Sequence, residues 1–346
     1  MAVAISSKQR KRMTYRLLPE WVAQEAVLLA WPHANTDWAP WLTQAQQTYQ
    51  AIITAINAQG AKVLLLVDPS ELPTVEALYA NTTQVVLIPA KYNDTWVRDY
   101  GFLTTSNGQE HRVLEFQFNG WGNKFDAALD NQVNIKYFEP LLAVPLLSDL
   151  TVVEGGALEM NAEGVLLSTQ FCLSNPQRNG DMSPEAYTKL FAETLGASRT
   201  IILEHGHLAG DDTDGHIDTL ARFTPTHGIV YQGCENRPTD PHFSGLHALG
   251  AELQHHFPEY KIFSLPLPQV LNTEGERLPA SYANFLICNG AILAPVYQQP
   301  EDEQAIAVLT EAYPDFKIVP LDCSVLVQQY GSLHCITMQV PKGVLA

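Results

Sequence analysis

Basic residues are scarce in this 346-residue chain: 20 Lys and Arg stand against 37 Asp and Glu, which gives a formal net charge of -17. So acidic a chain repels polyanions, and we therefore expect neither nucleic acid nor an anionic membrane surface as a partner. A small cation would be attracted instead. Acidic surfaces also serve solubility alone, and that simpler explanation of the charge stays open.

Long apolar runs are also lacking. No stretch approaches the roughly 20 apolar residues of a membrane-spanning helix, and no signal-peptide core follows the basic cluster from Lys8 to Arg12. The five cysteines are an odd number, lie far apart, and belong to a chain too large to need disulfide bonds. We therefore expect reduced thiols and a cytoplasmic protein.

The chain does contain a repeated pattern. Apolar residues make up 46% of it and charged residues 16%, which is ample material for a packed core. An apolar run, a loop rich in Pro, Asn and Asp, a helical pattern and a second apolar run recur five times. In the third copy the helix begins after Ser183, with Pro184 in the first helical position. The copies span residues 25–67, 112–153, 164–203, 228–263 and 291–320.

Short segments associated with the copies have the composition of further strands. A unit of this size cannot bury its apolar faces alone, so five such units favour a closed ring. We therefore expect an α/β fold with a single domain over residues 1–346, a five-bladed α/β propeller of ββαβ units with the short strands near its axis. These segments are residues 96–101, 154–158, 216–220, 284–288 and 334–338.

An open doubly wound sheet is the rival architecture, because strands and helices alternate there too. Such sheets commonly carry a glycine-rich phosphate loop. Here the segment Glu154-Gly155-Gly156 lacks the third glycine, and no Gly-Lys-Ser/Thr sequence occurs. The ring is therefore favoured.

Four of the short segments carry residues suited to catalysis on a guanidinium group. That group is planar, cationic and rich in N–H donors, so paired carboxylates hold it well. Its carbon is a poor electrophile and needs a thiolate as nucleophile, and an imidazole can protonate the departing ammonia and later activate water. The candidates that fit these roles are Asp99, Glu154, His216, Asp218 and Cys335.

Local spacing refines some of these assignments. On a strand, His216 and Asp218 would point to the same face, although the segment could also be a solvent-facing edge. Cys335 lies near the start of a predicted strand and is therefore more accessible than a residue in its middle. The other four cysteines are expected to be small buried apolar residues: Cys172, Cys234, Cys288 and Cys323.

Three neighbouring residues have other expected roles. Arg98 is expected to be turned away from Asp99 by strand alternation and to form a structural ion pair. Trp96 is either a cation-π wall for the guanidinium or part of the core. Trp121, flanked by Gly and Asn, is either a substrate lid or a surface anchor.

A metal centre is a weaker alternative. The sequence Glu204-His205-Gly206-His207 resembles part of a hydrolytic zinc site. Further possible ligands follow it at Asp211, Asp212, His216 and Asp218. A zinc enzyme would leave Cys335, Asp99 and Glu154 without roles. We therefore expect no metal and no cofactor.

Taken in order, the motifs resemble the agmatine deiminase and bacterial peptidyl-arginine deiminase family, part of the five-bladed guanidino-group-modifying superfamily called penteins. One departure stands out: the family typically has glycines and an Asn before His-Cys, whereas residues 329–335 here read Gln-Tyr-Gly-Ser-Leu-His-Cys. The matching segments are 31–32, 37–38, 96–99, 118–122, 154–156, 175–179, 212–218, 281–285 and 334–337.

The resemblance implies roles for the candidates. Cys335 would be the nucleophile and His216 the general acid and base, with Glu154 orienting His216. Asp99 and Asp218 would clamp the guanidinium group. The implied reaction converts agmatine to N-carbamoylputrescine and ammonia, a step of putrescine and polyamine biosynthesis.

Two alternatives stay open: deimination of terminal arginine in peptides, and a non-catalytic pentein-fold binding protein. The expected partner is a small cationic guanidino substrate, and a homo-oligomer is compatible with the sequence.

Overall fold

A computed structural model describes residues 14–346, so the basic cluster from Lys8 to Arg12 lies outside the described residues. The strands, in chain order, are β1 (Arg16–Leu17), β2 (Gln24–Ala30), β3 (Lys62–Val67), β4 (Val85–Pro89), β5 (Leu103–Ser106), β6 (His111–Gln117), β7 (Leu146–Val152), β8 (Glu159–Met160), β9 (Val165–Thr169), β10 (Arg199–Leu203), β11 (Ala221–Phe223), β12 (Gly228–Gln232), β13 (Lys261–Leu265), β14 (Leu286–Cys288), β15 (Ala291–Val296), β16 (Lys317–Asp322) and β17 (Met338–Pro341).

The α-helices range from single turns to 17 residues. They are α1 (Leu42–Ala58), α2 (Leu72–Tyr79), α3 (Val97–Tyr100), α4 (Gly120–Asn123), α5 (Gln170–Leu173), α6 (Pro176–Asn179), α7 (Pro184–Thr194), α8 (Phe243–His256) and α9 (Asp302–Ala312). Short 3-10 helices cover Ala39–Trp41, Asp130–Gln132, Glu139–Leu141, Gly155–Ala157, Ile217–Thr219 and Leu326–Gln329, and a π-helix covers Asn134–Phe138.

The strands form five separate small sheets within residues 14–346. Each sheet contains a parallel pair, with an antiparallel neighbour beside it. This arrangement confirms the α/β class, and each predicted copy supplies the parallel pair of one sheet. The strand orders are β1-β5-β6-β7, β10-β9-β8, β11-β12-β13, β14-β15-β16 and β17-β2-β3-β4.

Four of the copies carry the expected long helix between their parallel strands: α1, α7, α8 and α9. Helix α7 begins as predicted, because the Ser183 side chain accepts a hydrogen bond from the Ala186 N–H and Pro184 follows it. The second copy differs. Its segment Asp130–Leu141 is a series of 3-10 and π turns, and Pro140 in the last of them has no N–H to continue a regular helix.

The prediction of strands in the short segments was wrong in four of five cases. Residues 96–101 contain helix α3, residues 154–158 and 216–220 contain 3-10 turns, and Cys335 lies in a turn before β17. Residues 284–288 contain the strand β14, and of residues 334–338 only Met338, the first residue of β17, is in a strand. Four or five residues are too few for periodicity to separate a helical turn from a strand. The arguments from strand alternation therefore fail for Asp99, His216 and Asp218.

The last strand closes the chain on the first copy. Strand β17 pairs antiparallel with β2, with Met338 opposite Leu28. This pairing fixes the turn that carries Cys335 against residues from the start of the chain. Within residues 14–346, no helix combines the length and the apolar character needed to cross a membrane.

Candidate active site

The helical turns bring Cys335 close to Asp218. The Cys335 Sγ lies 3.7 Å from Asp218 Oδ2 and within 3.3 to 3.4 Å of the side-chain amide of Asn284. Burial and the negative charges of Asp218 and Asp99 raise the pKa of the Cys335 thiol well above its usual value. In the substrate-free protein this sulfur therefore stays protonated.

His216 lies between two carboxylates. Its Nδ1 is 3.5 Å from Asp99 Oδ1 and its Nε2 is 3.9 Å from Glu154 Oε2, and the residue is completely buried. Burial alone would lower the pKa of His216, but the charges of Asp99 and Glu154, together with the Cys172 thiol, raise it to about 10. His216 is therefore a proton donor at neutral pH.

Asp99 is held in place by two hydrogen bonds. Its Oδ1 accepts from the Gly156 N–H and its Oδ2 from the Trp121 Nε1–H, both at 2.9 Å. Burial raises the pKa of Asp99, and the charge of His216 opposes that effect. Position 156 must be glycine, because a Cβ there would lie 2.6 Å from His216 Nδ1 and 2.8 Å from Asp99 Oδ1.

Glu154 is paired with a buried arginine that sequence reasoning left without a role. The Arg178 Nε–H donates to both Glu154 oxygens, at 2.8 and 3.0 Å. The other end of the guanidinium contacts Asp214 Oδ2 at 2.7 Å and the Thr213 carbonyl at 2.9 Å. Arg178 thus fixes Glu154 and the loop 211–214 in one arrangement.

The structure corrects the expectations for Arg98 and clarifies those for Trp96. Arg98 has no carboxylate partner within ion-pair distance among the described residues; it donates to the His334 carbonyl and contacts the Met338 sulfur. Trp96 is buried against Trp38, with ring centroids 5.6 Å apart, and also borders a cavity. Gly331 packs on its ring, where a Cβ would approach to 2.3 Å.

Trp121 is neither exposed nor a surface anchor. Its backbone adopts a left-handed conformation with φ of 55°, which turns the indole inward to donate to Asp99. The ring contacts Phe118 and Phe125 edge-on, at centroid distances of 5.0 and 5.6 Å. The flanking Gly and Asn residues therefore form a sharp turn, although their composition is also typical of a mobile loop.

A cavity of about 130 Å³ leads to Cys335. Its inner wall consists of the four buried lining residues, Trp96, Asp99, Trp121 and Cys335, with Asp218, His216 and Glu154 packed behind it. Its outer rim consists of half-buried or exposed residues. No Lys or Arg is among the described residues that line it. The rim residues are Asp37, Asp94, Phe125, Asp212, Thr213, Gln329, Tyr330 and Gly331.

The rim carboxylates differ in environment. Asp94 is half-buried, and burial raises its pKa to about 7, with a further contribution from the charge of Asp37. Burial also raises the pKa of Asp212, whereas the charge of Lys124 lowers it. Asp37 is exposed. The rim therefore presents negative charge that increases as Asp94 ionises near neutral pH.

The histidine pair proposed for zinc does not form a metal site. His205 pairs with Glu252 at 3.0 Å, and His207 stacks edge-on with Phe171. In residues 14–346, only Glu154, Cys172 and His216 have ligand atoms close enough together, within 4.8 Å. Both Glu154 oxygens are already bound by the Arg178 guanidinium, whose positive charge disfavours a cation there. All five cysteines are free and buried, as expected for Cys172, Cys234, Cys288 and Cys323, although Cys172 adjoins His216 and Glu154.

Two further residues contact the site and were missed. Asn284 receives the His334 backbone N–H on its Oδ1 at 2.9 Å, besides contacting Cys335. The His334 ring lies 2.7 Å from Asp218 Oδ2 and 2.8 Å from Glu20 Oε2. Asn284 and His334 lie in segments that match the family, 281–285 and 334–337, but neither was assigned a role, and nothing in the sequence pointed to Glu20.

Comparison with known proteins places this geometry in a family. Residues 16–341 match the model of the Porphyromonas-type peptidyl-arginine deiminase. Among solved structures, the chain is 41% identical to the "Putative Arginine Deiminase from Porphyromonas gingivalis", with a TM-score of 0.88 and coverage of 96% of this chain and 100% of that one. It is 34% identical, with a TM-score of 0.88, to a cysteine-to-serine variant of C. jejuni agmatine deiminase with substrate bound, covering 95% of this chain and 97% of that one.

The match to a curated relative also covers nearly the whole of both chains. The "Putative agmatine deiminase" of Marinomonas sp. (strain MWYL1) is 31% identical over 354 residues, covering 95% of both chains. Both the family match and the identities extend over nearly the whole chain. The chain therefore belongs to the Porphyromonas-type peptidyl-arginine deiminase family.

Proposed function

We propose that this chain is an agmatine deiminase, a hydrolase that converts agmatine and water to N-carbamoylputrescine and ammonia. The observation that carries the proposal is a buried thiol beside Asp99 and Asp218, at the inner end of an acidic cavity. Relatives named for agmatine and arginine deimination support it. In this proposal the five sheets are the blades of a pentein propeller forming one domain, and the enzyme is cytoplasmic and supplies putrescine biosynthesis.

Asp99 and Asp218 form the guanidinium clamp. A guanidinium group donates pairs of N–H bonds that match carboxylate oxygens. Trp96 and Trp121 border the same space and present aromatic surface to a planar cation. The substrate cation also offsets the carboxylate charges that keep the Cys335 thiol protonated, so its binding favours the thiolate.

The chemistry then proceeds in two steps. When the substrate cation binds, Cys335 loses its thiol proton to solvent and the thiolate attacks the guanidinium carbon. The resulting tetrahedral adduct expels one nitrogen, which takes a proton from His216 and departs as ammonia. This leaves a covalent S-amidino-cysteine. Water then gives a proton to His216 and adds to the same carbon, and cleavage of the carbon–sulfur bond releases the ureido product and the thiol.

Glu154 orients His216 and stabilises its positive charge, and Arg178 in turn holds the Glu154 side chain in position. A His216 whose pKa is raised to about 10 begins the cycle protonated, as the departing nitrogen requires. No step in this scheme needs a metal or an organic cofactor.

The outer rim favours agmatine over arginine. Asp37, Asp94 and Asp212 would attract the distal ammonium of agmatine, whereas the α-carboxylate of free arginine would be repelled. Terminal arginine in peptides is the second candidate, because the family model that matches the chain is named for it.

Ammonia release from agmatine, free arginine and a peptide ending in arginine, under identical conditions, tests the proposal. We expect kcat/KM for agmatine to exceed the others by about 100-fold, the size of effect that an unpaired charge in a pocket produces. If the peptide were turned over faster than agmatine, deimination of terminal arginine would be the function instead of agmatine deimination. Absence of ammonia with all three would refute deiminase activity.

A further inference from the structure

His334 lies next to the proposed nucleophile with both of its ring nitrogens facing carboxylates. The ring is 2% exposed; Nδ1 is 2.7 Å from Asp218 Oδ2 and Nε2 is 2.8 Å from Glu20 Oε2. Ionised carboxylates only accept hydrogen bonds. Both contacts can therefore be hydrogen bonds at once only when both nitrogens carry protons.

Glu20 anchors this ring to the framework. Its Oε1 accepts the Ile287 N–H of β14 at 2.6 Å, and its Oε2 also receives Arg222 Nη2 at 2.5 Å. Arg222 is fully buried and continues the network to Glu159 at 3.0 Å and to the Phe285 carbonyl at 2.6 Å. Positive and negative charges alternate along this buried series, so each ion has a partner.

Asp218 is the end of the series nearest to Cys335. Its Oδ2 is occupied by His334, whereas its Oδ1 is buried without a hydrogen-bond partner. Burial alone would raise the pKa of Asp218, but the hydrogen bond and charge of His334 lower it. The charged and titratable groups around Asp218 are His334, His216, Cys335, Asp99, Arg98 and Arg222. Among these groups, only His334 both forms a hydrogen bond to Asp218 and lowers its pKa by an opposite charge.

We propose that His334 is a positioning residue for the guanidinium clamp: bound to Glu20, it holds Oδ2 of Asp218 so that Oδ1 is left to accept a substrate N–H. The inference rests on the proposed function and assigns the orientation of one clamp carboxylate. A buried acceptor without a partner is costly in the free protein, and a guanidinium N–H would satisfy it. His334 itself need not touch the substrate.

Two substitutions separate the contacts of His334. In His334→Asn, the side-chain amide nitrogen can occupy the place of Nδ1 and still donate to Asp218. In His334→Gln, the amide reaches the place of Nε2 and can donate to Glu20, which leaves Asp218 Oδ2 without its partner. A matched control is His242→Gln, since half-buried His242 also contacts a carboxylate, Asp240, at 2.7 Å and does not line the cavity.

Calorimetric binding of propylguanidinium, which lacks the distal amine of agmatine, reports the clamp alone. We expect the dissociation constant to rise about tenfold or more in His334→Gln, because a charge-assisted hydrogen bond is lost, and about threefold in His334→Asn. The control variant should bind like the parent. The KM for agmatine should follow the same order.

Equal binding by the parent and a folded His334→Gln variant would overturn the inference, as would equal losses in the Asn and Gln variants. If the Gln variant does not fold, unchanged binding by His334→Asn would overturn it, and about threefold weaker binding would support it. A parent that neither binds propylguanidinium nor releases ammonia from agmatine would instead refute the proposed function.

Discussion

The inner wall of the cavity and its outer rim are both acidic, but they hold their charges differently. Behind the inner wall, Glu154 is paired with Arg178 and Asp218 with His334, at 3.0 Å or less. At the rim, Asp37, Asp94 and Asp212 line the opening without a Lys or Arg among the described lining residues. Buried ions need fixed partners, whereas partly solvated carboxylates can stay available to a ligand. Chemistry and substrate choice are therefore expected to depend on separate parts of the cavity.

The largest effect should come from the inner wall at Cys335. Cys335→Ala removes one small side chain and leaves the clamp intact, so folding should be preserved while kcat falls at least ~10³-fold. Ammonia release with agmatine measures this loss, and thermal unfolding checks the fold. Cys335→Ser should be nearly as inactive, because a hydroxyl is a much poorer nucleophile at neutral pH. Activity above a tenth of the parent would contradict the role of Cys335.

Removing one clamp charge should have the next largest effect. Asp99→Asn and Asp218→Asn keep the shape of each side chain and remove a carboxylate charge from beside the guanidinium. Each should lower kcat/KM about 100-fold, through weaker binding and a slower chemical step together. Steady-state kinetics with agmatine measures both. Near-normal values in the two variants would mean that the inner carboxylates do not bind the substrate.

A rim substitution should change substrate binding more than chemistry. Because burial raises the pKa of Asp94 to about 7, the carboxyl is neutral below that pH and negative above it. The KM for agmatine should therefore rise as the pH falls from 8 to 6. Asp94→Asn should raise KM at pH 8 about tenfold and flatten this dependence, with little change in kcat.

Asp37→Asn is the matched control, since Asp37 lines the same rim but is exposed. Its effect on KM should be smaller, because water screens its charge. If Asp94→Asn leaves the KM for agmatine and its pH dependence unaltered, the rim does not recognise the distal amine.

Chelation should have the smallest effect. The scheme uses a thiol, an imidazole and carboxylates, and Arg178 binds the oxygens of Glu154 in the one metal-like cluster found in residues 14–346. Dialysis against EDTA should leave ammonia release unchanged. Loss of activity together with stoichiometric zinc, and its recovery on adding zinc back, would contradict a metal-free reaction.

The sequence predicted the repeats better than the segments that carry the site. The predicted copies begin within one residue of the starts of β2, β9 and β15, and the first copy ends with β3, because the apolar runs that bound the copies are the clearest signal in the sequence. The short segment around Asp99 was predicted as a strand but forms a helical turn. Its conformation depends on contacts with distant parts of the chain, such as the Gly156 N–H.

The residues of the proposed site were named from motifs, and the structure brings them together. Their supports were harder to find. Glu20 lies 314 positions before His334 and carries no local signal. Asp94 is two residues from the predicted Trp96, yet only the tertiary structure places it at the cavity rim and raises its pKa. A sequence pattern shows which residue types are present, but it does not show which carboxylates face the same cavity.

The most direct test of the account is to look for a covalent bond between the substrate and Cys335. We predict that an acid-quenched reaction with agmatine, digested and analysed by mass spectrometry, will contain the Cys335 peptide increased by the mass of agmatine less ammonia. The adduct should be absent in Cys335→Ala and absent from the peptides of the other four cysteines. Ammonia release without an adduct at Cys335, or with an adduct at another residue, would contradict the account.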